Sequence, residues 1–145
     1  MRKIALIEDD DDDIYLTTSA LNEVYPNIDI RSFNSGEDFF NATDYLEGKT
    51  YLNNLPELDL LFIDLNLSGM NGISVLKKVL DKRLFIGVPK IIYTTSTNKS
   101  DVYESFDAGA SSYIVKPKSY AVIKNIMQST LTYWFDINTS TYEAV

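Results

Sequence analysis

The 145-residue chain contains no cysteine and no histidine. Without cysteine, disulfide bonds and thiolate metal sites are excluded. Without histidine, the chain has no imidazole base, no imidazole metal ligand and no phosphohistidine site of its own. The remaining metal-binding side chains are mainly carboxylates, and carboxylates favour a hard cation such as Mg²⁺.

Long apolar runs and an excess of positive charge are also missing. No stretch approaches the length of a membrane span, and the apolar run in MRKIALI is too short for a signal peptide. We therefore expect a cytoplasmic protein without membrane contact. The formal net charge of −8 repels a phosphate backbone, so direct binding to nucleic acid is unfavourable.

The length and composition fit one globular domain, with 45% apolar and 23% charged residues. We expect the domain to cover residues 1–137 and a tail to cover residues 138–145. No repeat, low-complexity linker or second domain is evident in the sequence.

Strand-like segments alternate along the chain with segments of helical periodicity. The predicted strands are Lys3–Ile7, Ile28–Phe33, Leu60–Ile63, Lys90–Thr95 and Ser111–Val115. The predicted helices are one that ends before Pro26, one with an apolar face from Phe39 to Leu46, then Gly72–Arg83, Ser100–Ala108 and Ser119–Ile137. Lys49–Glu57 reads as an irregular loop. This alternation predicts a doubly wound α/β fold, with a five-stranded parallel sheet between five helices.

Four of the five predicted strands end in a residue suited to phosphate chemistry. Glu8 and Asp9 follow the first strand, Asp64 the third and Lys116 the fifth, and Thr94 lies at the end of the fourth. Because the carboxyl ends of parallel strands emerge at one rim, we expect these residues to converge. Three converging carboxylates repel one another, and a divalent cation relieves that repulsion. A carboxylate can also act as a nucleophile and carry an aspartyl phosphate.

The segments IALIEDD, LLFIDLNLSGMNG, IIYTTS and AGASSYIVKP resemble the receiver domain of two-component response regulators. They occur in the family's order and span about residues 3–135 of the chain. The resemblance implies a flavodoxin-like fold with strand order 2-1-3-4-5. It also implies a chemotaxis-regulator-like switch that works without an output domain.

The resemblance assigns roles to the residues at the predicted rim. Asp64 is the implied phosphoacceptor. Glu8 and Asp9 match the family's acidic pair and, with Asp64 and the backbone carbonyl of Asn66, would hold Mg²⁺. Thr94 matches the switch hydroxyl that contacts the phosphoryl group.

Further roles follow from the same resemblance. Lys116 matches the phosphate-binding lysine, and the Lys116–Pro117 peptide bond is implied to be cis. Tyr113 matches the aromatic residue that swings inward on activation, although a β-strand tyrosine needs no such role. Ser68 stands where the family often has proline, and Thr95 stands where a small residue is common.

The implied partners follow from the switch mechanism. A sensor histidine kinase or a histidine phosphotransfer protein would supply the phosphoryl group, and an unknown downstream protein would read the result. We expect phosphotransfer and autodephosphorylation rather than enzymatic turnover of a substrate. The loop Lys49–Glu57 and the Tyr133–Trp134 pair resemble regulators that accompany phytochrome-type kinases. Tyr103, Tyr120 and Tyr133 suggest a homodimer through the last helix and its neighbours.

Two other functions remain open at this point. A Mg²⁺-dependent aspartyl-phosphate phosphohydrolase also places an Asp at a strand end. Such enzymes commonly carry a second Asp two residues further on, where this chain has Asn66. A degenerate receiver that acts only as a binding scaffold is expected to lack the acids or the lysine, and all are present here.

Overall fold

A five-stranded parallel sheet forms the centre of the molecule. The computed structural model describes residues 1–46, 48–52 and 57–139. The sheet strands are β1 (Arg2–Ile7), β2 (Ile28–Phe33), β5 (Leu60–Ile63), β6 (Lys90–Thr94) and β7 (Ser112–Val115). Their spatial order is β2-β1-β5-β6-β7, with every pair parallel. Counted along the sheet strands alone, this is the order 2-1-3-4-5 that the family resemblance implies.

Five α-helices connect the strands, as predicted. They are α1 (Asp11–Val24), α2 (Gly36–Asn41), α3 (Gly72–Asp81), α4 (Lys99–Asp107) and α5 (Tyr120–Leu131). A π-helical segment, Thr132–Ile137, continues α5, so the last predicted helix reaches its expected end. Among the described residues, no helix combines the length and apolar character needed to cross a bilayer.

The sheet strands bury alternate side chains on two opposite faces. Ala5 and Ile7 belong to the core cluster that includes α3, whereas Ile4 and Leu6 belong to the cluster that includes α1 and α5. All four residues of β5 are fully buried. A strand covered on both faces must be apolar throughout, which accounts for the uninterrupted run LLFI before Asp64.

The segment after α2 differs from the sequence prediction. The predicted helical face from Phe39 to Leu46 stops early, because α2 ends at Asn41. Strands β3 (Thr43–Leu46) and β4 (Lys49–Leu52) form an antiparallel hairpin, where a helix end and a loop were expected. The rest of the expected loop includes residues 53–56, which lie outside the described residues.

The change from helix to hairpin has a local physical cause. The Thr43 hydroxyl donates to the carbonyl of Phe39 at 2.8 Å, at the end of the short helix. Thr43, Thr50 and Tyr51 are residue types that favour strands. Gly48 adopts a φ of +79° between the two strands, a conformation that glycine reaches without strain. Tyr45 is exposed, so its apolar character did not indicate a buried helical face.

Candidate functional site at the carboxyl ends of the strands

Glu8, Asp64 and Lys116 meet at the carboxyl ends of β1, β5 and β7. Glu8 is 2% exposed and Asp64 is 5% exposed. The Lys116 ammonium group lies between the two carboxylates and contacts both. Three residues that are far apart in the sequence therefore form one buried cluster, as the strand topology predicted.

Asp64 is held by the backbone on both sides of the strand end. Its own N–H donates to the carbonyl of Ile7 at 3.0 Å, which extends the β1–β5 pairing by one residue. Its Oδ1 accepts from the N–H of Asn66 at 3.1 Å. Its Oδ2 accepts from Lys116 Nζ at 3.0 Å. The carboxylate is thus fixed in orientation before any ligand arrives.

Lys116 is the common cation of the cluster. Its Nζ donates to Glu8 Oε1, to Asp13 Oδ2 at 2.8 Å and to Asp64 Oδ2. Its backbone N–H donates to the carbonyl of Thr94 at 2.7 Å, one residue beyond β7. This backbone bond extends the β6–β7 pairing and brings the lysine side chain over the rim.

The pKa values at the rim reflect burial and this shared lysine. Burial raises the pKa of Glu8 to about 7, although Lys116 opposes the rise. Burial alone would also raise the pKa of Asp64, but Lys116, the Asn66 N–H and Thr94 together hold it below its usual value. Burial disfavours the charged form of Lys116, yet hydrogen bonds to Asp13 and Glu8 and the charge of Asp64 raise its pKa. Asp64 is therefore ionised at neutral pH beside a charged lysine.

Asp9, the second member of the acidic pair, faces a different partner. Its Oδ2 accepts from both the backbone N–H and the hydroxyl of Ser68, each at 3.0 Å. Within residues 1–46, 48–52 and 57–139, no group of three or more acidic side chains is arranged to hold a metal ion. Glu8 and Asp64 instead hold Lys116, while Asp9 holds Ser68.

The rim nevertheless fits a hard divalent cation by its chemistry. Glu8, Asp13 and Asp64 bring three carboxyl groups to one ammonium group, and Asp9 lies next to Glu8, whose Oε2 accepts from the Asp9 N–H at 3.0 Å. Oxygen donors in excess of positive charge are the donor set that Mg²⁺ and Mn²⁺ prefer.

Thr94 and Tyr113 are connected to the rim through neighbouring residues. Thr94 is fully buried, and its hydroxyl accepts from Asn66 Nδ2 at 3.3 Å. The Tyr113 hydroxyl donates to the carbonyl of Ser96 at 2.9 Å, and its ring packs against the core. Asn66 Nδ2 also lies 3.5 Å from the hydroxyl of Thr95. The Asn66 side chain therefore lies between the end of β5 and the end of β6.

The expectation of a cis Lys116–Pro117 bond is wrong for this structure. Among the described residues, every peptide bond is trans. The trans form of an X–Pro bond is favoured by about 0.5–1 kcal/mol when the surroundings do not select the other form. With the trans bond, Lys116 already reaches Glu8, Asp13 and Asp64.

Sequence reasoning missed two residues that shape the site. Asp13 is one of three acids in the first turn of α1, where negative charge suits the helix dipole without any function, yet it pairs with Lys116. Gly72 was read only as the start of α3. A Cβ at Gly72 would lie 2.3 Å from the carbonyl oxygen of Asp64, so only glycine fits this contact between the start of α3 and the end of β5. The LNLSGMNG segment carried the signal for Gly72, but the run of acids carried none for Asp13.

The fold and this rim together define a doubly wound α/β domain with an acidic site at the carboxyl ends of its strands, and comparison with known proteins gives the family. Residues 4–128 match the family described as the response regulator receiver domain. The chain belongs to that family.

Relatives of known name agree with this assignment. The chain is 33% identical over 95 residues to the chemotaxis protein CheY1 of Helicobacter pylori strain 26695, covering 66% of this chain and 77% of that protein. It is 30% identical over 95 residues to a CheY homolog of Campylobacter jejuni strain 81-176, covering 66% and 73%. Receiver domains of this family act as signalling switches and are phosphorylated by histidine kinases.

Solved structures share the whole fold. The phosphorylated cyanobacterial phytochrome response regulator RcpA superposes with a TM-score of 0.84 at 25% identity, covering 97% of this chain and 98% of RcpA. The Mn²⁺-bound form of response regulator Rcp1 gives a TM-score of 0.79 at 23% identity, covering 97% and 99%. Receiver domains bind Mg²⁺ or Mn²⁺ at their acidic site.

Proposed function

We propose that this receiver domain accepts a phosphoryl group on Asp64 from the phosphohistidine of a partner protein. The observation that carries the proposal is the buried Asp64 carboxylate, fixed by Asn66 and paired with Lys116 at 3.0 Å. A carboxylate that is ionised at neutral pH is ready to act as a nucleophile. Its position at the carboxyl end of the central strand leaves it at the rim rather than within the core.

In the proposed transfer, an Asp64 carboxylate oxygen attacks the phosphorus of the phosphohistidine. The P–O bond forms as the P–N bond breaks, and the leaving imidazole takes up a proton. Lys116 then provides a positive charge for the new phosphoryl oxygens. Glu8 keeps a second contact with Lys116, so the lysine stays in place while its contact with Asp64 changes.

The proposal includes Mg²⁺, held by Glu8, Asp9, Asp64 and the backbone carbonyl of Asn66. When bound, the cation stabilises negative charge on the transferring oxygens. Ser68 restricts the orientation of the Asp9 carboxylate, because it donates two hydrogen bonds to Oδ2.

We expect phosphorylation to change the conformation of residues on β6 and β7. The new phosphoryl group can accept a hydrogen bond from the Thr94 hydroxyl, which now pairs with Asn66. A shift of Thr94 would alter the segment at Ser96, whose carbonyl holds the Tyr113 hydroxyl. Thr94 and Tyr113 are thus the proposed switch residues, and a local change in charge becomes a change in surface shape.

The output is proposed to be binding, to a downstream protein or to a second copy of this chain. Tyr103 on α4 and Tyr133 after α5 are exposed, which supports a contact surface there. Tyr120 packs partly against the core instead. The homodimer remains a prediction, which sedimentation with and without a phosphoryl mimic would test.

The decisive experiment is intact-mass spectrometry after exposure to acetyl phosphate, with and without Mg²⁺. We expect a single phosphoryl adduct on the wild type that requires Mg²⁺ and disappears in Asp64→Asn. Asp81→Asn is the matched control, because Asp81 is an exposed carboxylate at the end of α3. Its adduct should equal that of the wild type.

Two outcomes would redirect the proposal. Continuous release of phosphate from a model ester that requires Asp64 would favour a phosphohydrolase. Failure of the wild type to take up either a phosphoryl group or a beryllium fluoride mimic would favour a scaffold function, since a competent rim should bind the mimic.

A further inference from the structure

An apolar cavity lies at the end of the sheet opposite Asp64. Its volume is about 430 Å³, within the usual range for small-molecule sites. It is bordered by α3, by the loop from α3 to β6 and by the end of α4. Lys90, the first residue of β6, lines it, whereas Thr94 at the other end of that strand belongs to the phosphoacceptor rim.

The wall of the cavity is aliphatic. Leu76 and Val79 on α3 are buried and form its inner part. Leu80 is 55% exposed and Ile86 is 59% exposed, and both lie along its border. Two large aliphatic side chains beside one opening present an apolar surface that a ligand could cover.

Two cationic side chains line the same cavity, Lys90 and Arg83. Lys90 Nζ donates to the carbonyl of Phe85 at 2.7 Å. In the described part of the chain, no carboxylate lies within 4 Å of either cation. Burial lowers the pKa of Lys90 to about 8. Both cations therefore face the cavity without an acidic side chain of the described residues beside them.

The loop that carries this arrangement has a strained backbone. Arg83 and Phe85 adopt φ angles of +56° and +47°, which bulky side chains rarely adopt. The Phe85 N–H donates to the Thr50 hydroxyl of the hairpin at 3.3 Å, and the Phe85 ring is buried against Phe39. These contacts hold the loop in a shape that orients the Phe85 carbonyl toward Lys90. Strain that persists in this way is often kept for a function.

We propose that this cavity binds a small aliphatic monocarboxylate, of the size of octanoate, with its chain along Leu80 and Ile86 and its carboxylate at Lys90 and Arg83. The apolar wall favours the hydrocarbon chain, and the two cations without acidic partners favour a single negative charge. The site is separate from the phosphoacceptor rim and does not depend on phosphorylation of Asp64.

The test is calorimetric titration with sodium octanoate below its micelle concentration. Methyl octanoate and octylammonium serve as neutral and cationic comparisons. We expect one saturable site for octanoate, with methyl groups of Val79, Leu80 and Ile86 shifting in NMR spectra. Octylammonium should not bind there. Asp64→Asn should bind octanoate as the wild type does, which separates this site from the proposed phosphotransfer.

Lys90→Met is the key variant, because it keeps the side-chain length and removes the charge. We expect it to weaken octanoate binding at least tenfold and to leave methyl octanoate binding unchanged. Arg83→Met provides a second variant with an expected loss in the same direction. Lys82→Met is the matched control, because Lys82 is an exposed lysine in the same loop that does not line the cavity.

Three results would overturn the proposal. One is equal binding of octanoate to the wild type and to a folded Lys90→Met variant. Another is binding of octylammonium at the same methyl groups. The third is tighter binding of a peptide with a C-terminal leucine, which would make the occupant a segment of a partner protein.

Discussion

Lys116 and Lys90 are both largely buried, one at each end of the same sheet, yet their pKa values move in opposite directions. Lys116 has carboxylate partners in Glu8, Asp13 and Asp64, and its pKa is raised. Lys90 has a backbone carbonyl, and its pKa is lowered to about 8. Burial disfavours the ammonium form in both places, so the partners decide the sign. Lys116 neutralises the carboxylates around it, whereas Lys90 is a buried positive charge without an acidic partner among the described residues.

The largest effect is expected from Lys116→Met, measured by urea unfolding in the presence of a chelator. The variant leaves Glu8 and Asp64 buried without their cation. Removing one partner of a buried ion pair typically costs about 3–5 kcal/mol of unfolding free energy. A loss below about 1 kcal/mol would show that solvent screens these carboxylates.

Lys124→Met is the control for that measurement. Lys124 pairs with Glu23 at 3.1 Å, but both side chains are exposed. Exposed pairs contribute about 0–1 kcal/mol, so we expect little change. Lys116→Met combined with Glu8→Gln should recover part of the lost stability, because fewer buried charges then lack a partner.

A smaller effect of opposite sign is expected from Lys90→Met. At pH 7 it should stabilise the fold by about 1–2 kcal/mol, because a charged group with a lowered pKa leaves the interior. The folded-state pKa of about 8 lies below the ordinary 10.5, so the unfolded chain binds more protons between these values. The unfolding free energy of the wild type therefore rises relative to that of the variant as the pH increases from 8 to 10.5.

The check is urea unfolding of both proteins at pH 7 and pH 10, with Lys82→Met as the control. We expect the difference between wild type and Lys90→Met to shrink at the higher pH. A difference that stays constant would mean that the Lys90 amine is hydrated and that the contrast between the two lysines is smaller than the structure indicates.

The smallest expected effect concerns Ser68→Ala. It removes one of the two hydrogen bonds that fix the Asp9 carboxylate at Ser68. A hydrogen bond to a charged group contributes about 1.5–3 kcal/mol, but the Ser68 N–H still holds Asp9 in the variant. We therefore expect only part of this energy to appear, as a rise of about threefold in Mg²⁺ affinity. Calorimetric titration with Mg²⁺ measures this directly. Ser74→Ala is the control, because it changes an exposed serine on α3, and it should leave the affinity for Mg²⁺ unchanged. An unchanged affinity in Ser68→Ala would mean that the Ser68 hydroxyl does not restrict the orientation of Asp9.

The rim was predictable because topology determines it. Apolar runs such as Leu60–Ile63 identified the strands, and parallel pairing brought their polar ends together. The hydrogen-bond and ion-pair partners of each side chain were harder to predict. In the acidic run Glu8–Asp13, spacing alone does not show that Asp13 faces Lys116 while Asp9 faces Ser68.

The opposite end of the sheet was not predictable from the sequence. Lys90 reads as the polar boundary of a strand, and its burial depends on a loop whose left-handed residues are Arg83 and Phe85 rather than glycine. The hairpin was missed because Tyr45 and Leu46 extend the helical spacing of Phe39. Spacing of apolar residues cannot distinguish a continuing helix from a strand over so few positions.

Strand β6 runs from the cavity at one end of the sheet to the acidic rim at the other. Lys90 is its first residue and Thr94 its last, about 13 Å apart along a strand that is largely buried. If occupancy at one end shifts the strand, thermodynamic reciprocity requires that each ligand change the other's affinity by the same factor. Because the proposed carboxylate site does not depend on Asp64, we expect the strand to stay in place, so that octanoate leaves the affinity for a beryllium fluoride mimic unchanged.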